Sequence, residues 1–442
     1  MGETLSIGSR RELFVDRYLV GSMTGTTFKL HTPVAAPVPQ GPIGGAYMTV
    51  FQDVDRYRAY YRAYDPAFAG NRNVDGNEGE VTCYAESRDG AEWTRPELNI
   101  CPNERVRPNN IILQSPPYCH NFAPMKDTNP NAAPETRYKA LAGVHTRDAA
   151  APLGGLHAFR SPDGVRWVKV QDAPVIDSVD YAFDSENVSF WSPAESCYVC
   201  YFRTWKTSEG KFRTISRCTS PDYLHWSEPV CMNPNVAGEH LYTSQAHPYF
   251  RAPHIIVCLP TRFRPDRGDS TDILFMATRA GSTQFERLFT EAFIRPGFDP
   301  KRWGNRANYA ACGIVPTGPT EMSLYHASGM RYVLRTDGFI SVHAGFDSGE
   351  FVTKPFTFTG RELVLNYSTS AAGSVQVEIQ QPDGTPVPGF ALSDCTVLIG
   401  DRIERQVGWQ GAPDLGRLAG QPIRVRFVMR EADLFAIQFR QG

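Results

Sequence analysis

Three carboxylates, Asp184, Glu186 and Glu321, each border an apolar strand-like run. A carboxyl pressed against apolar neighbours keeps its proton to a higher pH, while one beside a cation stays ionised. Two such groups in one site can divide acid and base work between them. Residues 184 and 186 share a strand face, so either can serve as base or nucleophile, with Glu321 as general acid. Tyr47, His120, Asn121, Glu239, Tyr242 and His247 stand at comparable places before strand-like runs. His120 and His247 could polarise a hydroxyl, move a proton or bind a metal, although no metal-ligand spacing on a regular element is visible. Arg203, Arg251, Arg262 and Arg335 lie within strand-like runs. A guanidinium grips carboxylate or sulfate through paired hydrogen bonds, so arginines turned inward would suit a charged ligand. Structural roles compete with each of these: a turn cap for Asp184, a surface ion pair for Glu321, core packing for the histidines, outer-face salt bridges for the arginines.

Repeated elements must position these groups. Ser87-Arg88-Asp89-Gly90-Ala91-Glu92-Trp93, Ser161-Pro162-Asp163-Gly164-Val165-Arg166-Trp167 and Ser220-Pro221-Asp222-Tyr223-Leu224-His225-Trp226 share the order Ser-x-Asp, tight turn, Trp, spaced by about 74 and 59 residues. Such self-similarity marks repeated all-β units of blade size. The Asp of each turn is expected to accept backbone N–H groups and the Trp to pack between sheets, both structural roles. Residues 279–285 read as a degraded fourth copy, and a fifth unit over about 308–356 lacks the motif. The prediction is all-β: a five-bladed β-propeller over 1–356, including N-terminal strands within 10–36, followed by a C-terminal β-sandwich over 357–442. The mouth of the central channel, where the inner strands begin, is where the polar residues above would meet.

The 442 residues carry a net charge of -2, which does not suit a nucleic-acid binder. The ten cysteines are scattered and read as free thiols; Cys197 and Cys200 would point to opposite faces of one strand. Met1-Gly2-Glu3-Thr4-Leu5-Ser6 lacks the apolar core of a signal peptide, so a cytoplasmic protein is expected, with a trimmed secreted chain as the alternative. No apolar run is long enough to span a bilayer. No cofactor motif is visible, and a calcium or other ion in the channel would need none. The oligomeric state is not legible.

The segments Arg11-Glu12-Leu13-Phe14-Val15-Asp16, Glu86-Ser87-Arg88-Asp89-Gly90, His120-Asn121-Phe122, Phe183-Asp184-Ser185-Glu186-Asn187 and Asn366-Tyr367-Ser368-Thr369-Ser370-Ala371-Ala372-Gly373 carry a resemblance over essentially the whole chain. The chain resembles the five-bladed propeller glycoside hydrolases, the superfamily of arabinanases, fructosidases and neoagarooligosaccharide hydrolases, and most closely a planctomycete-type glycosidase-like group. The resemblance implies hydrolysis of an oligosaccharide or polysaccharide by paired carboxylates. Those enzymes usually carry an Asp at the start of blades one and two, whereas this chain has Gly44-Gly45-Ala46-Tyr47 and His120-Asn121 there. Asp184 (or Glu186) with Glu321 is therefore the expected catalytic set, and His120, Asn121, Tyr242, His247, Arg262, Arg335 and Tyr47 the expected substrate-binding set. Two rivals remain: a polysaccharide lyase using His or Tyr on a uronate-containing glycan, and a non-catalytic carbohydrate-binding propeller.

Overall fold

Strands dominate the chain; the helical segments among the described residues are 3-10 turns of three or four residues. The computed structural model describes residues 4–37, 43–103, 105–144, 154–177, 182–206, 210–234 and 236–442. Met1, Gly2 and Glu3, on which part of the expectation about a leader rests, lie outside them. None of the described helices is long and apolar enough to cross a membrane.

Contacts divide the chain into Pro33–Val333 and a second unit made of Met1–Thr32 with Leu334–Gly442. This differs from the expected division at 356/357. Among the described residues, 4–32 are not part of the repeated sheets: Arg11–Leu13, Val20–Thr24 and Thr26–Leu30 pair with Arg424–Arg440, Gly349–Thr353 and Ile340–Ala344. Strand pairing across the full length of the chain is invisible to a linear reading, because register depends on partners hundreds of residues away.

The central unit repeats one plan. Thr49–Asp53, Arg56–Tyr64 and Glu80–Ser87 form an antiparallel meander, as do Ala123–Lys126, Tyr138–Ala142 and Gly155–Ser161, and then Val188–Ser192, Cys197–Lys206 and Phe212–Ser220. The fourth repeat splits into two three-stranded sheets, His247–Tyr249 with Ala252–Cys258 and Met276–Arg279, and His240–Leu241 with Thr261–Arg264 and Ser270–Ile273. The fifth holds Val315–Pro316, Glu321–Tyr325 and Arg331–Arg335, and is completed by Val34–Ala35 from the start of the chain. First strands touch in a cycle: first with second, second with third, third with fourth, fifth with first. Between the fourth and fifth, the Ile314 N–H donates to His247 Nε2 at 3.1 Å.

The three Asp turns close in the same way. Asp89, Asp163 and Asp222 each accept the N–H groups two and three residues ahead at 2.8–2.9 Å. Gly90 and Gly164 take φ of 75° and 76°, and Tyr223 bears the same conformation at 73°. Sheets hold one another's turns: Tyr60 Oη donates to Gly164 O at 3.0 Å and Tyr325 Oη to Gly90 O at 2.6 Å.

In the other unit, two long strands, Glu362–Gln380 and Arg424–Arg440, pair antiparallel almost end to end. Alternation in the sequence over residues 362–367 and 374–379, and over 423–428 and 434–439, predicts four shorter strands, and each long strand replaces two of them. Their inward residues, among them Leu363, Leu365, Val375, Val377, Phe427, Leu434 and Phe439, join Phe14 and Phe351 in one buried core. Trp409 belongs to that core and donates Nε1–H to Val377 O at 3.1 Å.

Candidate active site

The segments that lead into the inner strands converge on one place, and Asp184 is its centre. Asp184 precedes the Val188–Ser192 strand, behind Phe183 at φ 75°, a left-handed backbone that phenylalanine rarely adopts. Asn121 pins this bend. Its Nδ2–H donates to Phe183 O at 2.7 Å and to Gly143 O at 2.7 Å, and its Oδ1 accepts the Gly143 N–H at 2.9 Å. Asn121 is fully buried, so it positions Asp184 rather than meeting a ligand as the sequence suggested.

Four groups converge on the Asp184 carboxylate. Tyr47 Oη donates at 3.3 Å, Tyr242 Oη at 3.0 Å and Arg203 Nη1 at 3.1 Å, while His120 Nε2 lies 3.5 Å away. Burial pushes the Asp184 carboxyl up, but His120, Arg203 and Tyr242 outweigh it and hold the group well below the usual carboxylate range. His120 is caught between carboxylates. Its Nδ1 is 2.9 Å from Glu80 Oε1, and its Nε2 is 3.8 Å from Asp75 Oδ1. Burial lowers its pKa, but Asp184 and Glu80 more than reverse this, so the imidazole titrates above its ordinary value. Arg62 binds Glu80 at 3.3 Å and stacks 5.0 Å from the Tyr47 ring. Tyr309 lies over Tyr47 and Tyr242, with centroids at 6.0 and 5.5 Å. Burial first, and Asp184 second, raise the pKa of Tyr47 and of Tyr242, which keeps both phenols protonated.

Asp75 is the partner that sequence reasoning missed. It sits in the loop between Arg56–Tyr64 and Glu80–Ser87, with 36% of its side chain exposed. Burial, and then the like charge of Asp184, raise its carboxyl above the ordinary value. Asp75 and Asp184 are thus two carboxyls in one site with opposite shifts, the pattern that separates an acid from a base. One signal was available: a loop of this length inside a compact sheet is unusual unless it is functional.

The other expected residues lie elsewhere. Glu321 opens the second strand of the fifth sheet, past the end of Val315–Pro316, where it meets Thr317 and Arg331 with 42% of its side chain exposed. The fifth sheet's residue in the site is Tyr309. The error came from taking the second strand for the inner one. Glu186 lies one pleat deeper than Asp184, fully buried, 2.6 Å from Thr49 Oγ1 and 2.6 Å from Gln245 Nε2, and burial pushes its carboxyl up to about 8. His247 is a framework residue. Its Nδ1–H donates to Gln245 O at 2.9 Å, its Nε2 accepts from Ile314, and burial lowers its pKa to about 4. Arg262 grips Asp272 through two bonds of 3.0 and 2.6 Å. Arg335 belongs to the unit containing the C-terminus, where it binds Asn366 and Asp401. Glu239 is paired with Arg287.

One oxygen of Asp75, one of Asp184 and a ring nitrogen of His120 lie within 4.8 Å of one another, the set among the described residues that could hold a metal ion. Arg62 and Arg203 already press on the same imidazole and carboxylate, so a cation there would meet two guanidinium groups.

No family model matches the chain, and no curated protein matches it. It is similar to a solved glycoside hydrolase family 43 arabinoxylan arabinofuranohydrolase from Bacillus subtilis in complex with cellotetraose, at 13% identity over 93% of this chain and 99% of that one, with a TM-score of 0.41. It is also similar to the Bombyx mori GH32 β-fructofuranosidase, at 10% identity over 94% and 95% with a TM-score of 0.41. An N-acetylgalactosamine deacetylase from F. plautii, in complex with blood group B trisaccharide, gives 11% identity over 93% and 96% with a TM-score of 0.46.

Proposed function

We propose that the chain is a glycoside hydrolase that takes a saccharide at the mouth of a five-bladed β-propeller, the second unit being a β-sandwich. The observation that carries this is the pair Asp75 and Asp184, two carboxyls beside one histidine with pKa values pushed in opposite directions. Asp184, held ionised by His120, Arg203 and Tyr242 against its burial, acts as nucleophile on the anomeric carbon. Asp75, protonated, donates its proton to the departing glycosidic oxygen. Asp75, now a carboxylate, then takes a proton from the water that releases the sugar from Asp184, and both groups return to their starting states. The close approach of the two groups supports retention of configuration, since an inverting pair needs roughly 6.5–9.5 Å to admit a water. Tyr47, Tyr242 and Arg203 hold Asp184 in place, and His120 lies between Asp184 and Glu80.

The test is turnover of a panel of aryl glycosides and natural oligosaccharides by wild type, Asp75→Asn, Asp184→Asn and Glu321→Gln. Loss of roughly 10²–10⁴-fold in kcat is expected for the first two variants, and near wild-type activity for the third. Products showing unsaturated-uronate absorbance that survive in both Asn variants would replace hydrolysis with elimination. Abolition of turnover by a chelator, restored by a divalent ion, would replace this mechanism with metal-assisted hydrolysis.

A further inference from the structure

We propose that the saccharide bound at this site carries an anionic group, a carboxylate or a sulfate ester, that docks against Arg213 and Arg306. The inference rests on the hydrolase reading of the site and specifies its substrate class.

Charge at the mouth is out of balance. Arg62 is paired with Glu80 and Arg203 with Asp184. Arg213 and Arg306 form no ion pair among the described residues, yet both lie within electrostatic reach of Asp184, Tyr242 and Tyr309. The guanidinium groups of Arg62, Arg203, Arg213 and Arg306, together with His120, stand beside three carboxyls, those of Asp75, Asp184 and Glu80.

Arg213 is built into the wall rather than left on the surface. It lies on the Phe212–Ser220 strand, where its backbone N–H donates to His240 Nδ1 at 3.2 Å. Its guanidinium carbon sits 4.6 Å from the Trp205 ring, 4.6 Å from Phe263 and 5.0 Å from Tyr242. Aromatic faces attract a cation but do not neutralise it. Its Nε is buried with no hydrogen-bond partner. Burial and the neighbouring charge of Arg203 both disfavour the cation here, a cost that an anionic ligand between the two arginines would relieve. Arg306 approaches from the segment before Tyr309, at φ 60°, and remains exposed. A neutral sugar makes use of neither charge. A carboxylate or sulfate can take hydrogen bonds from both guanidinium groups in the geometry they favour.

The test is calorimetric binding of matched-length oligosaccharides, uronate-bearing, sulfated and uncharged, to the full chain and to its Arg213→Met and Arg306→Gln variants. One charged class is expected to bind at least about tenfold more tightly than its uncharged counterpart, as a charge-assisted hydrogen bond predicts. That preference should weaken with added salt and fall by about tenfold in each variant, with uncharged sugars unaffected. Which charged probe binds separates uronate from sulfate. Equal binding of charged and uncharged sugars, preference surviving both substitutions, or no binding of any charged probe would overturn the proposal. Arg306 is exposed, so Arg306→Gln decides the matter if Arg213→Met unfolds. Turnover of uncharged glycosides without charge preference would leave the hydrolase reading standing and remove this inference. Charge-selective binding without turnover would do the reverse.

Discussion

Glu186 is fully buried and keeps its proton to about pH 8, while a glutamate in the unfolded chain releases it near 4.5. Folding therefore takes up a proton between those values. The folded state binds more protons than the unfolded one, so stability is fully present below 4.5 and declines as pH rises toward 8. At pH 7 the loss amounts to about 3 kcal/mol. Glu186→Gln keeps the shape and can still reach Thr49 and Gln245, so it should leave urea stability unchanged at pH 4 and raise it at pH 7–8. Equal pH dependence in both proteins would mean that Glu186 is not the protonated group. In the proposed mechanism Asp75 and Asp184 govern rate rather than stability. The acid limb of kcat/KM belongs to Asp184, held low by His120, Arg203 and Tyr242 against its burial. The alkaline limb belongs to Asp75, whose raised carboxyl must stay protonated. Activity should fall as pH rises through the raised Asp75 pKa, and Asp75→Asn should abolish this alkaline limb along with most of the rate.

At the scale of elements, the loop that carries Asp75 depends on its neighbour. Gly76 has φ 75°, and a Cβ there would lie 2.5 Å from Pro117 Cβ. Gly76→Ala must shift either the loop or the segment leading to His120, and misplacing a catalytic group by about 1 Å can cost 10²-fold. The expected result is a fall of that order in kcat with folding retained, read by steady-state kinetics beside thermal unfolding. The Asp turns should behave differently. Asp163 accepts two backbone N–H bonds, and its carboxylate also meets Ser161 and Arg166, all within its own turn. Asp163→Ala should reduce stability by about 1 kcal/mol and leave turnover intact.

For the molecule as a whole, the chain's ends matter more than its order suggests. Val34–Ala35 completes the fifth sheet, while the residues before 33 pair in the other unit. A fragment of residues 33–333 holds all the sheets that build the site. A fragment ending at 356 instead keeps Arg11–Leu13, Gly349–Thr353 and Ile340–Ala344 without their shared partner Arg424–Arg440. Unpaired strand edges and uncovered apolar residues such as Phe14 and Phe351 make such a piece prone to aggregate. Soluble expression with a cooperative unfolding transition is expected for 33–333 and aggregation for 1–356. The reverse result would mean that the contact boundary is not the folding boundary.

The all-β class, the repeated Asp turns and the alternating strands near the C-terminus were legible in the sequence, because turn chemistry and period-two patterning are local. It also pointed to Asp184, His120, Tyr47 and Tyr242, because each stands in the segment that leads into an inner strand. Only the tertiary structure decided the rest. Asp75 enters from a loop with no regular pattern. Glu186 and Asn121 differ from Asp184 and His120 by depth, and depth is set by packing rather than by residue type. Glu321 lies on the wrong strand of its sheet, and Arg262 and Arg335 already hold carboxylates that no spacing in the chain could have revealed. A local pattern can say which residues start an element; which of them share a pocket, and with what charge, depends on contacts between elements far apart in the chain.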